Sequence, residues 1–181
     1  TSALVTVVTL GGATTAAIAI AGVSGRRRAL IIGAMALPLL VPPFVSALSW
    51  VSAYGPGGLL DDLVGFSVPG LFGPAGVVLV LVVSAMPIAF LVLAAAVDVR
   101  HERDLVRAAR IAGASPGEAF RTVTLPLLRP ALVAAGAITF IMSANAFGVP
   151  AVLGSPAGFG TATTRLYRDL VLSADAAAFD R

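Results

Sequence analysis

Residues 75–97 read AGVVLVLVVSAMPIAFLVLAAAV, a run of 23 positions with no charged side chain and one proline, Pro87. A helix needs about 20 apolar residues to cross the hydrocarbon core of a bilayer. This run therefore decides the fold class: it predicts a membrane-crossing helix. Outward from it the same pattern repeats. No Asp, Glu, Arg or Lys occurs in residues 1–25, 29–60, 63–97 or 130–164. Each interval is long enough to span. The chain of 181 residues is 58% hydrophobic and 12% charged, with a mean hydropathy of +0.99; a soluble domain carries about 25% charged residues. The expectation is an all-α integral membrane protein, one domain over residues 1–181, with four spans at about 3–23, 29–51, 75–97 and 131–153.

The spans differ in character. The first is rich in Gly and Ala, which let helix backbones approach closely in lipid. The second contains Pro38, Pro42 and Pro43, which remove backbone donors and should kink or break it. Pro42 and Pro43 are therefore candidates for the edge of a solute path. Trp50 and Tyr54 close this span as interfacial aromatics. The clearest polar residue of the fourth span is Asn145, a candidate for the path because polar groups at membrane depth face the bundle interior, and equally a candidate for interhelical hydrogen bonding. The tail begins with Gly, Ser and Pro and predicts a short helix around residues 164–172.

Charge sets the orientation. Residues 26–28 are three arginines, and residues 98–129 hold six more with four acids, so nine of the twelve Arg fall in two segments. Arginine-rich loops face the cytoplasm. The Arg-free loop of residues 54–74, with Asp61 and Asp62, then faces outward with the tail. Arg165, Arg168 and Arg181 in the tail are balanced by Asp169, Asp175 and Asp180. The high isoelectric point thus reflects membrane topology and not nucleic-acid binding. There is no cysteine and a single histidine, so no disulfide framework, thiol chemistry or metal-ligand cluster is expected. No Gly-Lys-Ser/Thr phosphate loop and no Ser/His/Asp set is present. No cofactor is expected.

The loop of residues 98–129 predicts two short helices. In the first, Leu105, Ala108, Ala109 and Ala112 recur at helical spacing and form a narrow apolar stripe, with Gly113 where a left-handed cap ends the helix. In the second, Ser115 is an N-cap, Pro116 the first helical residue and Glu118 the partner of a capping box. Ala119, Phe120 and Val123 give it an apolar face. Pro126 should end it, with Leu125 biased toward an extended backbone.

These residues carry a resemblance. The spacing Ala108-Ala109, Gly113, Val123, Leu125-Pro126 resembles the "EAA" loop of bacterial ABC-transporter permeases: Glu-Ala-Ala, three residues, Gly, nine residues, a branched apolar residue, one residue, Leu-Pro. The stretches GASPGEAFRTVTLPLLRPAL (113–132), FGVPAVLG (147–154) and TTRLYRDL (163–170) look like the ferric-iron, polyamine and thiamine branch of these MetI-like importer permeases. One position departs: Arg107 stands where the family has Glu, an acid that would pair with a basic group on the ATPase.

The resemblance implies a multi-pass protein of the bacterial inner membrane that conducts a solute and hydrolyses nothing itself. Its partners would be an ABC ATPase, an extracytoplasmic solute-binding protein and a second permease half or subunit. The ATPase-coupling loop would comprise Arg107, Ala108, Ala109, Gly113, Ser115, Glu118, Phe120, Leu125 and Pro126. Ferric iron is the candidate solute; polyamine, thiamine and phosphonate stay open. Both chain ends read as cuts through a longer polypeptide, with a fifth span after Arg181. A regulatory or degenerate homologue is the alternative that Arg107 supports. A membrane scaffold or enzyme is a further alternative; an enzyme would need ionisable groups at membrane depth, and the uncharged intervals have none.

Overall fold

The computed structural model describes residues 1–68, 70–97 and 100–172. Residues 98–99 of the predicted cytoplasmic loop, and Asp175, Asp180 and Arg181 of the tail, lie outside the described residues. The helices are α1 (Ser2–Ile20), α2 (Gly25–Ala36), α3 (Pro43–Tyr54), α4 (Leu59–Val64), α5 (Pro74–Val97), α6 (Arg100–Ile111), α7 (Pro116–Ala119), α8 (Leu125–Ala144) and α9 (Ala162–Tyr167). Wide π-turns cover Phe120–Thr124, Pro150–Gly154 and Arg168–Leu172.

α5 is the centre of the bundle. Its buried positions include Val77, Leu81, Ala85, Ala89, Phe90, Leu93 and Val97, which lie around more than one face, as expected of a helix enclosed by others. α1 packs on it most extensively, then α8. α1 buries Val5, Thr9, Ala13, Ala17 and Ile20, a single stripe at i, i+4 spacing. α8 buries Leu128, Ala135, Thr139 and Ser143 and leaves Val133 72% and Ile141 58% exposed. Large apolar side chains exposed in this way suit a hydrocarbon surround or a partner helix, not water.

The two core clusters give the helix directions. Ala13, Ala17 and Ile20 pack with Ala89, Phe90, Leu93, Val97 and Leu128. Val5 packs with Leu71, Val77, Val80 and Leu153. α1 and α5 therefore run parallel, with their C-terminal ends together, and α8 runs antiparallel to both. A chain that crosses in α1 and crosses the same way in α5 must return between them. The return is made by the broken second span, α2 and α3.

The prolines were expected to kink or break that span, and it is broken. The α2 and α3 halves meet at 90°. Val41 is extended at φ −101°, ψ 119°, as a residue before proline prefers, and Pro43 starts α3. Each half has 12 residues, or about 18 Å of rise, too short to cross alone.

The fourth span is also corrected. The expected boundaries were residues 131–153, with a helix end at Pro126. One helical rod instead runs 29 residues, from Pro116 to Ala144. The physical reason is the π-turn over Phe120–Thr124, in which Leu125 N–H donates to the Phe120 carbonyl five residues back. In a regular helix the Pro126 ring would clash with the Thr122 carbonyl four residues earlier; the wider turn makes room for it. Pro130 lies inside α8 as well. Leu125–Ala144, 20 residues or about 30 Å, is long enough to cross a bilayer, and residues 116–124 extend from it into the loop after α5.

Candidate coupling surface and solute path

The loop between α5 and α8 is built from local signals that all close. Gly113 has φ +95°, a conformation that costs glycine little. Ala114 N–H donates to Ala109 O at 3.0 Å, and Gly113 N–H to Arg110 O at 3.1 Å; together these form a Schellman cap on α6. The next residues start α7. Glu118 N–H donates to Ser115 Oγ at 3.3 Å, and Ser115 N–H donates to Glu118 Oε2 at 2.7 Å, the reciprocal capping box. The bond from the Ser115 backbone, with a smaller contribution from its hydroxyl, holds the Glu118 carboxyl below its ordinary value. Thr122 Oγ1 donates to Glu118 O at 2.7 Å. α7 thus runs through the π-turn into α8 without a hinge.

The apolar stripe of α6 divides. Val106 and Ala109 are half-buried, whereas Ala108 and Ala112 are exposed, as are Leu105 at 49% and Ile111 at 87%. The outward half has no partner among the described residues. Ala119 is buried and anchors α7, and Phe120 is partly exposed beside it. Leu125 and Pro126 are half-buried at the root of α8. Arg107 is turned toward the bundle side of α6, where it borders a cleft with Ile18, Val97 and Phe120.

A second feature lies at the opposite end of α8. A cavity of about 280 Å³ is lined by Pro42, Pro43 and Phe44 at the break before α3, by Ser84 of α5, and by Ser143 and Phe147 at and after the end of α8. Pro42 and Pro43 thus border this cavity. Asn145 does not line it. Asn145 caps α8, and its Nδ2 donates back to the Ile141 carbonyl at 2.9 Å. Sequence reasoning passed over Ser84 and Ser143, the hydroxyl-bearing residues of the lining, although each is a polar position within an uncharged interval. Gly148 packs against Phe44 so closely that a Cβ there would meet the Phe44 Cβ at 2.9 Å. The tail is tied to this end: Thr163 Oγ1 donates to Ala146 O at 2.7 Å, and the Phe147 and Tyr167 rings lie 5.1 Å apart.

Known proteins resemble this chain in sequence. A family profile described as "Binding-protein-dependent transport system inner membrane component" matches residues 12–179. The chain is 32% identical over 136 residues to the ferric transport system permease protein FbpB of Actinobacillus pleuropneumoniae, covering 72% of this chain and 19% of that one. It is 29% identical over 154 residues to the thiamine transport system permease protein ThiP of Brucella abortus, covering 83% of this chain and 28% of that one. The chain thus spans less than a third of the length of either relative. A match over nearly the whole chain, together with several membrane-length helices, marks it as an inner-membrane transport component: it belongs to the binding-protein-dependent transport system inner membrane component family.

Proposed function

We propose that this chain forms part of the membrane path of an ATP-driven importer and that residues 98–129 couple it to a separate ATPase. The observation that carries the reading is the continuous rod from Pro116 to Ala144. One end holds the capped loop with its unpartnered Leu105, Ala108, Ala112 and Ile111; the other end, at Ser143, lines the cavity beside Pro42 and Pro43. The rod is about 43 Å long and its loop end is braced by the Schellman cap and the capping box. A push on α6 and α7 by an ATPase closing on nucleotide would move Ser143 against the α2–α3 break. That is a two-state bundle biased by contacts made in one state.

Arg107, Ala108, Ala109, Gly113, Ser115, Glu118, Phe120, Leu125 and Pro126 are the proposed coupling residues, and Pro42 and Pro43 border the proposed path. Asn145 positions the end of α8 rather than meeting solute. The proposed partners are the ATPase at the arginine-rich end, a solute-binding protein at the other end, and a second permease half or subunit. Ferric iron is the proposed solute, supported by the likeness to a ferric transport permease. The likeness to a thiamine permease supports thiamine as the second reading.

The test is co-purification of the full-length permease with the ATPase encoded beside it, followed by uptake of radioactive iron and of thiamine into proteoliposomes. Ala108→Glu with Ala112→Glu, both on the exposed face of α6, should abolish the complex while the permease still folds. An intact complex in that variant would remove α6 from the interface.

A further inference from the structure

The arginine-rich end of the bundle contains a cleft of about 290 Å³, two of whose wall residues, Arg107 and Phe120, are also proposed coupling residues. Ile18 and Ala21 line it from the end of α1, Val97 from the end of α5, Val106 from α6 and Phe120 from the π-turn. Among the described residues, the one charged group on its wall is Arg107. The cleft lies where α1 and α5 end, at Ile20 and Val97, and so at the boundary between acyl chains and headgroups. Among the described residues no hydrogen bond or ion pair engages Arg107.

An apolar cleft at this depth faces acyl chains, and its walls match them. A guanidinium at its edge is a poor neighbour for hydrocarbon and a good one for phosphate, which it binds through paired N–H donors. Its aliphatic stem can lie along the apolar wall while the charged head stays in the headgroup layer. Basic pockets between membrane helices on the cytoplasmic side take anionic headgroups for this reason. We propose that the cleft holds an anionic phospholipid of the inner leaflet, with an acyl chain against Ile18, Val97 and Phe120 and its phosphate on Arg107. The lipid would sit at the joint between α6 and the bundle and neutralise the charge that Arg107 introduces there. This proposal rests on the membrane orientation and not on ATPase coupling.

The full-length protein is reconstituted without ATPase in phosphatidylcholine vesicles, with Phe120→Trp as reporter and all other tryptophans, including Trp50, replaced by Phe. Brominated phosphatidylglycerol or brominated phosphatidylcholine is then titrated in. Bromine on the acyl chain quenches a tryptophan that it touches. Phosphatidylglycerol should reach half-quenching at a mole fraction about five-fold lower, the preference one arginine near the surface supplies. Arg107→Gln should erase the preference and leave quenching by both lipids. A second reporter, Val106→Trp, should behave alike and guards against misfolding of the first. Equal quenching by both lipids with Arg107 present would overturn the proposal. So would a preference that survives Arg107→Gln. Absence of quenching at both reporters would do the same, because a protein segment would then fill the cleft. Because the vesicles hold no ATPase, each outcome reads lipid binding alone, and failure of the coupling proposal would leave these results unchanged.

Discussion

Arg28 Nη2 donates a hydrogen bond to the carbonyl oxygen of Ala94 at 3.1 Å. It joins the first turn of α2 to the last turn of α5, where helix carbonyls lack intrahelical partners and the macrodipole favours a cation. The bond brings residues 26–28 to the same end of the bundle as the loop that follows α5.

Arg28→Ala should lower the stability of the detergent-solubilised protein by about 1 kcal/mol, near the value for a partly exposed hydrogen bond. That corresponds to a fall of about 2–4 °C in Tm for a chain of this size. Arg28→Lys, which keeps the charge but loses the planar fork, should recover only part of it. A thermal scan of the three proteins checks this; no difference between Arg28→Ala and the parent would remove the bond as a stabilising contact.

Gly113→Ala forces a Cβ into a backbone at φ +95°, costing roughly 1–2 kcal/mol. The expected result is local: faster amide exchange at residues 114–118 and weaker ATPase binding, with Tm little changed. Protection equal to the parent at those amides would show that the turn tolerates a side chain.

Gly148→Ala places a methyl 2.9 Å from the Phe44 Cβ. Phe44 sits in the first turn of α3, so its displacement would shift the break that borders the cavity. Overpacking of this kind costs about 1–3 kcal/mol, and uptake should fall more than ATPase binding does. Gly11→Ala, where no atom lies within 4 Å, is the matched control and should leave both unchanged.

The pH response of the loop follows from Glu118. Its carboxyl is held below the ordinary value chiefly by the Ser115 backbone N–H. A depressed folded-state value means the stabilisation is present above the unfolded value and lost as pH falls through the folded one. Amide exchange at residues 116–122 should therefore rise on acidification below the usual carboxylate range. Glu118→Gln should flatten that rise, and Ser115→Ala, which costs about 1 kcal/mol at an N-cap, should raise exchange at every pH. An identical acid response in Glu118→Gln would assign it to another group.

Much of the loop was legible from short-range spacing. The cap at Gly113, the box at Ser115 and Glu118, and the short tail helix each depend on residues within five positions of one another, and each formed. The breaks were harder. Pro42 and Pro43 read correctly as an interruption because two adjacent prolines remove two donors and push Val41 to an extended backbone. Pro126 read as a stop and is not one, because a π-turn five residues long absorbs its ring. No composition or spacing announces such a turn; it forms where Ala119 and Thr124 are held by burial on both sides of it. Asn145 read equally as a path residue or as an interhelical hydrogen-bonding group because polarity within an apolar interval is visible, whereas its bond to Ile141 within α8 depends on where α8 ends.

The sequence by itself determined that helices cross a membrane, which end of the bundle is basic, and where α6 ends and α7 starts. These follow from charge-free length and from capping chemistry, which are local. Only the tertiary structure decided that α1 and α5 lie parallel, that the second span turns through 90° to make the return, and that Pro42, Ser84 and Ser143 border one cavity. Those relations arise from packing between helices far apart in the chain, where side-chain shape and close approach select among arrangements that the local signals leave equal.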